Sequence, residues 1–439
     1  MFTKEERSAI IAMIQREVVP AVGCTEPVAV ALAVARGREI LGELPVKITV
    51  YLSANMLKNA MGVGIPGTGM TGLPIAVALG AICGESQKGL EVLEDVGAED
   101  VSRARELIAA EAVHIFLKEG IDEKLYIEVL CEGKTHGASS HVIIAGEHTR
   151  FIYLARGEEV LLDHRHRERF EHEVEPPELT VRRVYEFATE APFSEIAFIL
   201  ESASMNKAAA ELSFAGHYGH ELGRMMRERY EKDLMGESLF SRILAYTSAA
   251  CDARMAGEKV PVMSNSGSGN QGISATLPVV IYAEENGKSE EELTRALILS
   301  HLTAIYIKNH MGRLAAFCGC VVAATGSSCG ITWLMGGGFL QVTYAVKNMI
   351  ANLTGMLCDG AKPSCLLKVT SGVSTALFSA MMAMENRYVS SMEGIIDEDV
   401  DRCIRNLAQV SSQGMEETDR LVLQIMTHKE GPPAGAEVP

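Results

Sequence analysis

Five cysteines fall close together in the later part of the chain. Cys318 and Cys320 lie in AAFCGCVVAA, Cys329 in TGSSCG, and Cys358 and Cys365 flank the Gly/Lys/Pro turn of MLCDGAKPSC. Thiolates that hold an iron-sulfur cluster converge on one point from several segments, and a tight turn brings two of them close. Zinc is the weaker reading, because neither arm has CxxC spacing and His310 is the only imidazole nearby. Buried thiols that only pack are the plain alternative.

Cys24, in AVGCTEP, is a separate case. If CTEP opens a helix, the thiol lies near the positive end of the helix dipole, where a lowered pKa favours thiolate. Three glycine-rich stretches are expected at helix ends: NAMGVGIPGTG, SNSGSGNQG and TGSSCG. Glycine lets backbone amides approach an anion, and a helix N-terminus after such a loop adds a favourable dipole. None is a P-loop, since GxxxxGK[ST] is absent, and none has the setting of a dinucleotide fingerprint. Each alone could be a turn between packed helices. SNSGSGNQG is the most suggestive, because Ser266, Ser268, Asn270 and Gln271 add donors for a carboxylate or phosphate.

Residues 4–19 and 26–40 have helical patterning, the second with Glu26 and Pro27 suited to a first turn. VKITVYLSA alternates as a strand does; a Gly-rich loop and helical segments through about residue 118 follow. LYIEVLCE, SSHVIIAGE and TRFIYLAR are spaced as hairpin strands and predict an antiparallel sheet with the earlier one. HRHRERFEHEVEPPE reads as a charged connector whose histidines are solvated rather than metal ligands. From Val181 to Ile425 nearly every segment is helical, and GPPAGAEVP reads as a disordered tail. The predicted fold class is α+β: a large, mostly helical domain carrying the cysteines, with a smaller sheet-containing unit in the N-terminal half. The expected division is 1–45 with 181–430 as the helical catalytic domain, 46–180 as the smaller domain, and 431–439 as the tail.

A formal net charge of −17 argues against nucleic acid or an anionic membrane as the main partner. The apolar stretch from Leu314 to Leu357 is interrupted by Ser327, Ser328, Gln341 and Lys347, so it reads as buried core helices. MFTKEERSAIIAMIQREVV lacks the apolar run and cleavage site of a signal peptide, and the ten cysteines have no disulfide-framework spacing. A cytoplasmic small-molecule enzyme is expected, and a homodimer is compatible with it.

PAVGCTEP, SANMLKNAMGVGIPGTG, SNSGSGNQG, the Cys318 region and CDGAKPSC occur in this order. Together they resemble the L-cysteine desulfidases, a family related to the α-chain of the iron-sulfur L-serine dehydratases and including a large bacterial branch. The resemblance covers nearly the whole chain apart from the tail. It implies a pyridoxal-free β-elimination on a small L-amino acid, with an oxygen-sensitive 4Fe-4S cluster held by three cysteines and one iron open to substrate. By that resemblance the ligands are Cys318, Cys358 and Cys365, with Cys320 and Cys329 as competitors of Cys318. CDGAKPSC is similar to the CDP…PC element of the dehydratases but with a shorter gap; Gly360 and Pro363 would bend it so that both thiols reach one cluster.

The same resemblance makes Cys24 a participant in the chemistry, as base or as transient ligand. An open iron would act as Lewis acid on the leaving group, a base would take the Cα proton, and the carboxylate would need strong donors. SNSGSGNQG supplies the cradle, with Asn55, Lys58 and Asn59 helping to close it. Desulfidation of L-cysteine is preferred to dehydration of L-serine on CTEP and on the presence of both halves in one chain. The rival readings are a pyridoxal-phosphate lyase using Lys207 or Lys308, a non-enzymatic iron-sulfur or thiol redox sensor, and a degenerate homologue that binds no cluster.

Overall fold

Helix starts follow from their capping residues. Thr3 and Glu6 form a reciprocal capping box at the head of the helix Lys4–Glu17, and Ser289 and Glu292 do the same for Glu290–Met311, satisfying N–H groups that the helix itself leaves over. The computed structural model describes residues 2–121, 123–165, 177–228, 230–312 and 314–428. The tail expected over 431–439, and all but the ends of the charged connector, lie outside the described residues.

The fold is α+β. Its sheet is six-stranded, in the order Val113–Leu117, Lys47–Leu52, Tyr126–Glu132, Ser139–Ala145, Phe151–Arg156, Glu159–Asp163. The expected strands are present, but two corrections follow. Val113–Leu117 is a strand where the sequence predicts helix, and it pairs parallel with Lys47–Leu52, so the sheet is mixed rather than antiparallel. The intervening helices supply the crossover that a parallel pair needs. Apolar residues of this sheet pack with the helices Thr25–Leu41 and Leu73–Ile82 in one core. Those two helices touch closely: a Cβ on Gly80 would fall 2.5 Å from the Ala31 carbonyl oxygen.

A larger core is built by helices that include Val181–Glu190, Leu239–Met255, Gly269–Glu285, Glu290–Met311, Gly319–Leu334, Phe339–Leu353 and Cys365–Met384. TGSSCG, expected to be a turn, is the middle of the helix Gly319–Leu334. Its glycines stand four apart on one face, and their Cβ positions would fall 2.2 Å from the Ser300 oxygen (Gly326) and 2.8 Å from the Ala296 oxygen (Gly330). Close helix approach, not turn formation, is their use, and Cys329 is therefore fully buried core. Cys365–Met384 is long and apolar enough to cross a membrane, but more than half of its apolar window is buried inside the protein.

Pro20–Val22, just before the helix Thr25–Leu41, pairs antiparallel with Pro261–Met263, just before the helix Gly269–Glu285. Nearby, KNAMGVGIPGTGMTG, where the sequence predicts a Gly-rich loop, begins inside the short helix Ala54–Ala60 and contains a small hairpin, Gly64–Ile65 with Met70–Thr71.

Candidate active site

The turn of MLCDGAKPSC is held from both sides. An antiparallel bridge joins Phe317 to Leu357, with the Cys318 amide donating to the Met356 carbonyl and the Cys358 amide to the Ala316 carbonyl, both at 2.8 Å. Gly360 has φ +88°, and a Cβ there would fall 2.2 Å from the Lys58 carbonyl oxygen. Glycine is thus required twice, for the left-handed backbone and for the contact. Cys365 then opens the helix Cys365–Met384, and its thiol faces the Gly360 carbonyl at 3.5 Å.

One cavity at the seam of the two cores is lined by Cys318, Cys320, Cys358 and Cys365, by Cys24 and Glu26, by Asn59, and by Ser266, Ser268, Asn270 and Gln271. Arg254, Lys308 and His148 also line it. Asn55 and Lys58 do not: they lie in an adjoining cleft, where Asn55 donates to Asp419 at 2.8 Å and the buried Lys58 pairs with the same carboxylate at 2.5 Å. Because both sit on the helix Ala54–Ala60 rather than in a flexible loop, their faces are fixed, and Asn59 alone of the three reaches the thiols, 3.8 Å from Cys358 Sγ.

The SNSGSGNQG loop closes on itself through paired Asn265 and Ser268 backbone bonds and is tied by Ser264 and Ser266 amides to the Val19 and Glu17 carbonyls. Ser268 caps the helix Gly269–Glu285. Two expected donors are partly spent inside the protein: the Ser266 hydroxyl donates to Asn265 Oδ1 at 2.9 Å, and Asn270 Nδ2 donates to the Met255 sulfur at 3.2 Å while its oxygen accepts from Arg254 at 3.0 Å. Beneath the loop, the Asn265 amide donates to His301 Nδ1 at 3.1 Å, leaving the ring proton on Nε2, which faces Thr276 Oγ1 at 3.0 Å.

Burial drives the pKa of His301 down to about 3. The unfolded chain therefore binds a proton that the folded chain refuses once the pH falls below about 6.5. Stability should drop on acidification from that point toward the folded value, and between pH 6.5 and 5 His301 should cost about 2 kcal/mol. Denaturant unfolding at both pH values should give a smaller loss for His301→Gln; an equal loss would show that His301 is not buried neutral.

Cys24 departs from the sequence expectation. It does cap the helix Thr25–Leu41, but burial, and after it the Glu26 carboxylate, push its pKa well above the usual thiol value, with Arg254 opposing. Its thiol donates to Glu26 Oε2 at 2.8 Å, and the Thr25 hydroxyl lies 3.0 Å from the same oxygen and 2.7 Å from the Gly267 carbonyl. Among the clustered thiols, a hydrogen bond from Cys320 holds the Cys318 pKa low, helped by Lys368 and Lys308. Burial and Cys318 raise Cys365, to about 11, and also raise Cys358. One negative charge is thus favoured at Cys318.

This donor chemistry fits a cluster: thiols from two backbone-locked segments line one cavity, with lysines around them. Among the described residues no three His, Cys, Asp or Glu side chains converge as a single metal ion requires; a cluster spreads its thiolates over different irons and asks for a wider set.

Residues 87–424 match the family described as serine dehydratase alpha chain. The chain belongs to that family. As a serine dehydratase alpha-chain family member it is expected to share a lyase-type chemistry. It is similar to UPF0597 proteins of Bacteroides fragilis, 67% identical over 427 residues, and Bacteroides thetaiotaomicron, 65% over 428. These alignments cover 97% and 98% of this chain and 99% of each relative. The UPF0597 protein of Oleidesulfovibrio alaskensis is 47% identical over 97% of this chain.

Sequence reasoning does not give Arg254, Glu26 or His148 a place in the site. Only Arg254 carries a signal: a charge in SAACDARM, where small residues otherwise announce a buried helix.

Proposed function

We propose that this family member catalyses a pyridoxal-independent β-elimination on a small L-amino acid in the cytoplasm, converting L-cysteine to sulfide, ammonia and pyruvate. A 4Fe-4S cluster on Cys318, Cys358 and Cys365 would supply, when bound, a Lewis-acidic iron for the departing thiolate. The observation that supports this most is that three candidate ligands, the Cys24–Glu26 pair and the SNSGSGNQG loop, distant in sequence, line one cavity.

The chain's own residues then have two tasks. One is to take the Cα proton. Cys24 is a thiol at neutral pH, so it acts as base only after passing its proton to Glu26, which it already faces at 2.8 Å. The other is to steady the negative charge that grows toward the substrate carboxylate, for which the cavity has Arg254, Lys308 and the amides at the head of Gly269–Glu285. Loss of the β-substituent leaves 2-aminoacrylate, which water converts to pyruvate and ammonia.

Anaerobically purified protein should contain iron and acid-labile sulfide and release sulfide and pyruvate from L-cysteine; absence of iron under those conditions ends this reading. Glu26→Gln should keep the iron and lose roughly 100-fold or more in turnover. Cys24→Ala should do likewise, and joint loss of iron and activity would make Cys24 a ligand instead. The family's description favours a second reading, dehydration of L-serine by the same site. The ratio of kcat/KM for L-serine and L-cysteine decides between them.

A further inference from the structure

Two polar groups at the cavity are left with unused bonding capacity. Arg254, on the helix Leu239–Met255, is only 2% exposed. Its Nη1 donates to Asn270 Oδ1 at 3.0 Å and touches the Met255 sulfur at 3.3 Å, while Nε is buried with no partner. No carboxylate pairs with it among the described residues. A guanidinium taken out of water without a counter-charge is costly, and such a group is retained where an anion arrives to meet it. Gln271, on the first turn of Gly269–Glu285, has its Oε1 buried and likewise unpartnered. A buried acceptor with nothing to accept is the complementary half.

Each group is accommodated by a glycine. A Cβ on Gly269 would fall 2.1 Å from Arg254 Nε, and one on Gly319 would fall 2.7 Å from Gln271 Cδ. Any side chain at either position would push the polar group out of place. Both side chains therefore occupy space that the backbone has been kept bare to provide. Both line the same cavity as the thiols.

We propose that Arg254 and Gln271 form a receptor for a zwitterionic α-amino acid, Arg254 taking the α-carboxylate through the guanidinium edge that Asn270 leaves open, and Gln271 Oε1 accepting from the α-ammonium. Asn270 is then a positioning residue, since it holds Nη1 and so fixes which edge faces the ligand. This rests on the reading that the cavity takes an amino acid, and it narrows that reading: ligands lacking either charge are excluded, whatever their side chain.

The test uses the full-length protein, purified anaerobically, with L-alanine as probe. L-Alanine has both charged ends and no leaving group, so its binding is read by calorimetry without turnover. It should bind saturably, while propionate and ethylamine, each missing one charge, should bind at least about tenfold more weakly. Arg254→Gln should weaken L-alanine at least about tenfold and Gln271→Leu by several-fold, with Arg254→Lys in between. Equal binding of propionate, no binding of L-alanine, or undiminished binding by a folded Arg254→Gln protein would overturn the proposal. If Arg254→Gln does not fold, the comparison of probes on the unaltered protein decides alone. L-Alanine binding, with no sulfide or pyruvate formed when L-cysteine or L-serine is supplied instead, would strike the elimination chemistry and leave this receptor standing. Turnover of L-cysteine that survives Arg254→Gln would do the reverse.

Discussion

Cys358→Ala is expected to purify anaerobically with less than half of the iron of the unaltered protein and to release sulfide from L-cysteine at least about 100-fold more slowly, since even groups that only support a metal ligand cost 10- to 100-fold. The effect should be local. The Cys358 amide and the Phe317–Leu357 bridge hold the backbone without help from the thiol, so the far-ultraviolet spectrum and melting behaviour of the metal-free proteins should coincide. Cys320→Ala is the informative companion. Cys320 lines the same cavity, yet its own pKa is raised well above normal while its thiol hydrogen-bonds Cys318. It should therefore keep its iron, though with a weaker hold. Full iron content in Cys358→Ala, or complete loss in Cys320→Ala with retention in Cys318→Ala, would reassign the ligands.

The second large effect concerns stability. A methyl group at Gly272 would fall 1.8 Å from the Met263 carbonyl oxygen and 2.7 Å from the Met263 carbonyl carbon. That carbonyl has little freedom to retreat: Asn206 accepts from the Met263 amide at 2.8 Å and donates to its carbonyl at 3.3 Å, and Met263 is paired with Pro20 on the adjacent strand. Gly272→Ala should cost at least about 3 kcal/mol, at or beyond the usual range for overpacking, because both sides of the contact are backbone. Denaturant unfolding, or soluble yield where the loss is too great to measure, checks this. A variant within about 0.5 kcal/mol of the parent would show that the helix and strand are less closely apposed than these distances require.

Much of the architecture is legible in the sequence because it rests on local patterns. The alternation in VKITVYLSA and the hairpin spacing of LYIEVLCE, SSHVIIAGE and TRFIYLAR mark strands, and all four are strands. The strand Val113–Leu117 escapes such reading because its pairing partner lies more than sixty residues earlier and its own burial is slight, so its pattern is weak. TGSSCG misleads because glycine's preference for turns is a local tendency, and the close crossing of two helices overrides it. Nearness in sequence groups Lys58 and Asn55 with Asn59 and so with the thiols, but adjacent Lys58 and Asn59 leave the helix on different faces, and Asn55, one turn before Asn59, is held with Lys58 by Asp419.

At the site, Cys24 shows the limit of a single-effect argument. The helix N-terminus is where the sequence predicts it, yet desolvation and a carboxylate two residues away outweigh the dipole. The place of Arg254 in the site is hidden for the opposite reason, although its charge stands out in SAACDARM. Nothing in SAACDARM says that its charge will lie beside residues 266–271, since only the packing of two helices brings them together.

The lining residues span positions 24 to 365, and the two backbone bonds beside Cys318 and Cys358 join segments separated by two complete helices, Gly319–Leu334 and Phe339–Leu353. Contacts of such long sequence separation form late, after the loop-closure entropy has been met. The pocket therefore cannot be complete until the chain through Cys365 has been made and folded. A cofactor that needs this whole lining binds only where the lining is assembled, so its binding adds to the stability of the folded chain.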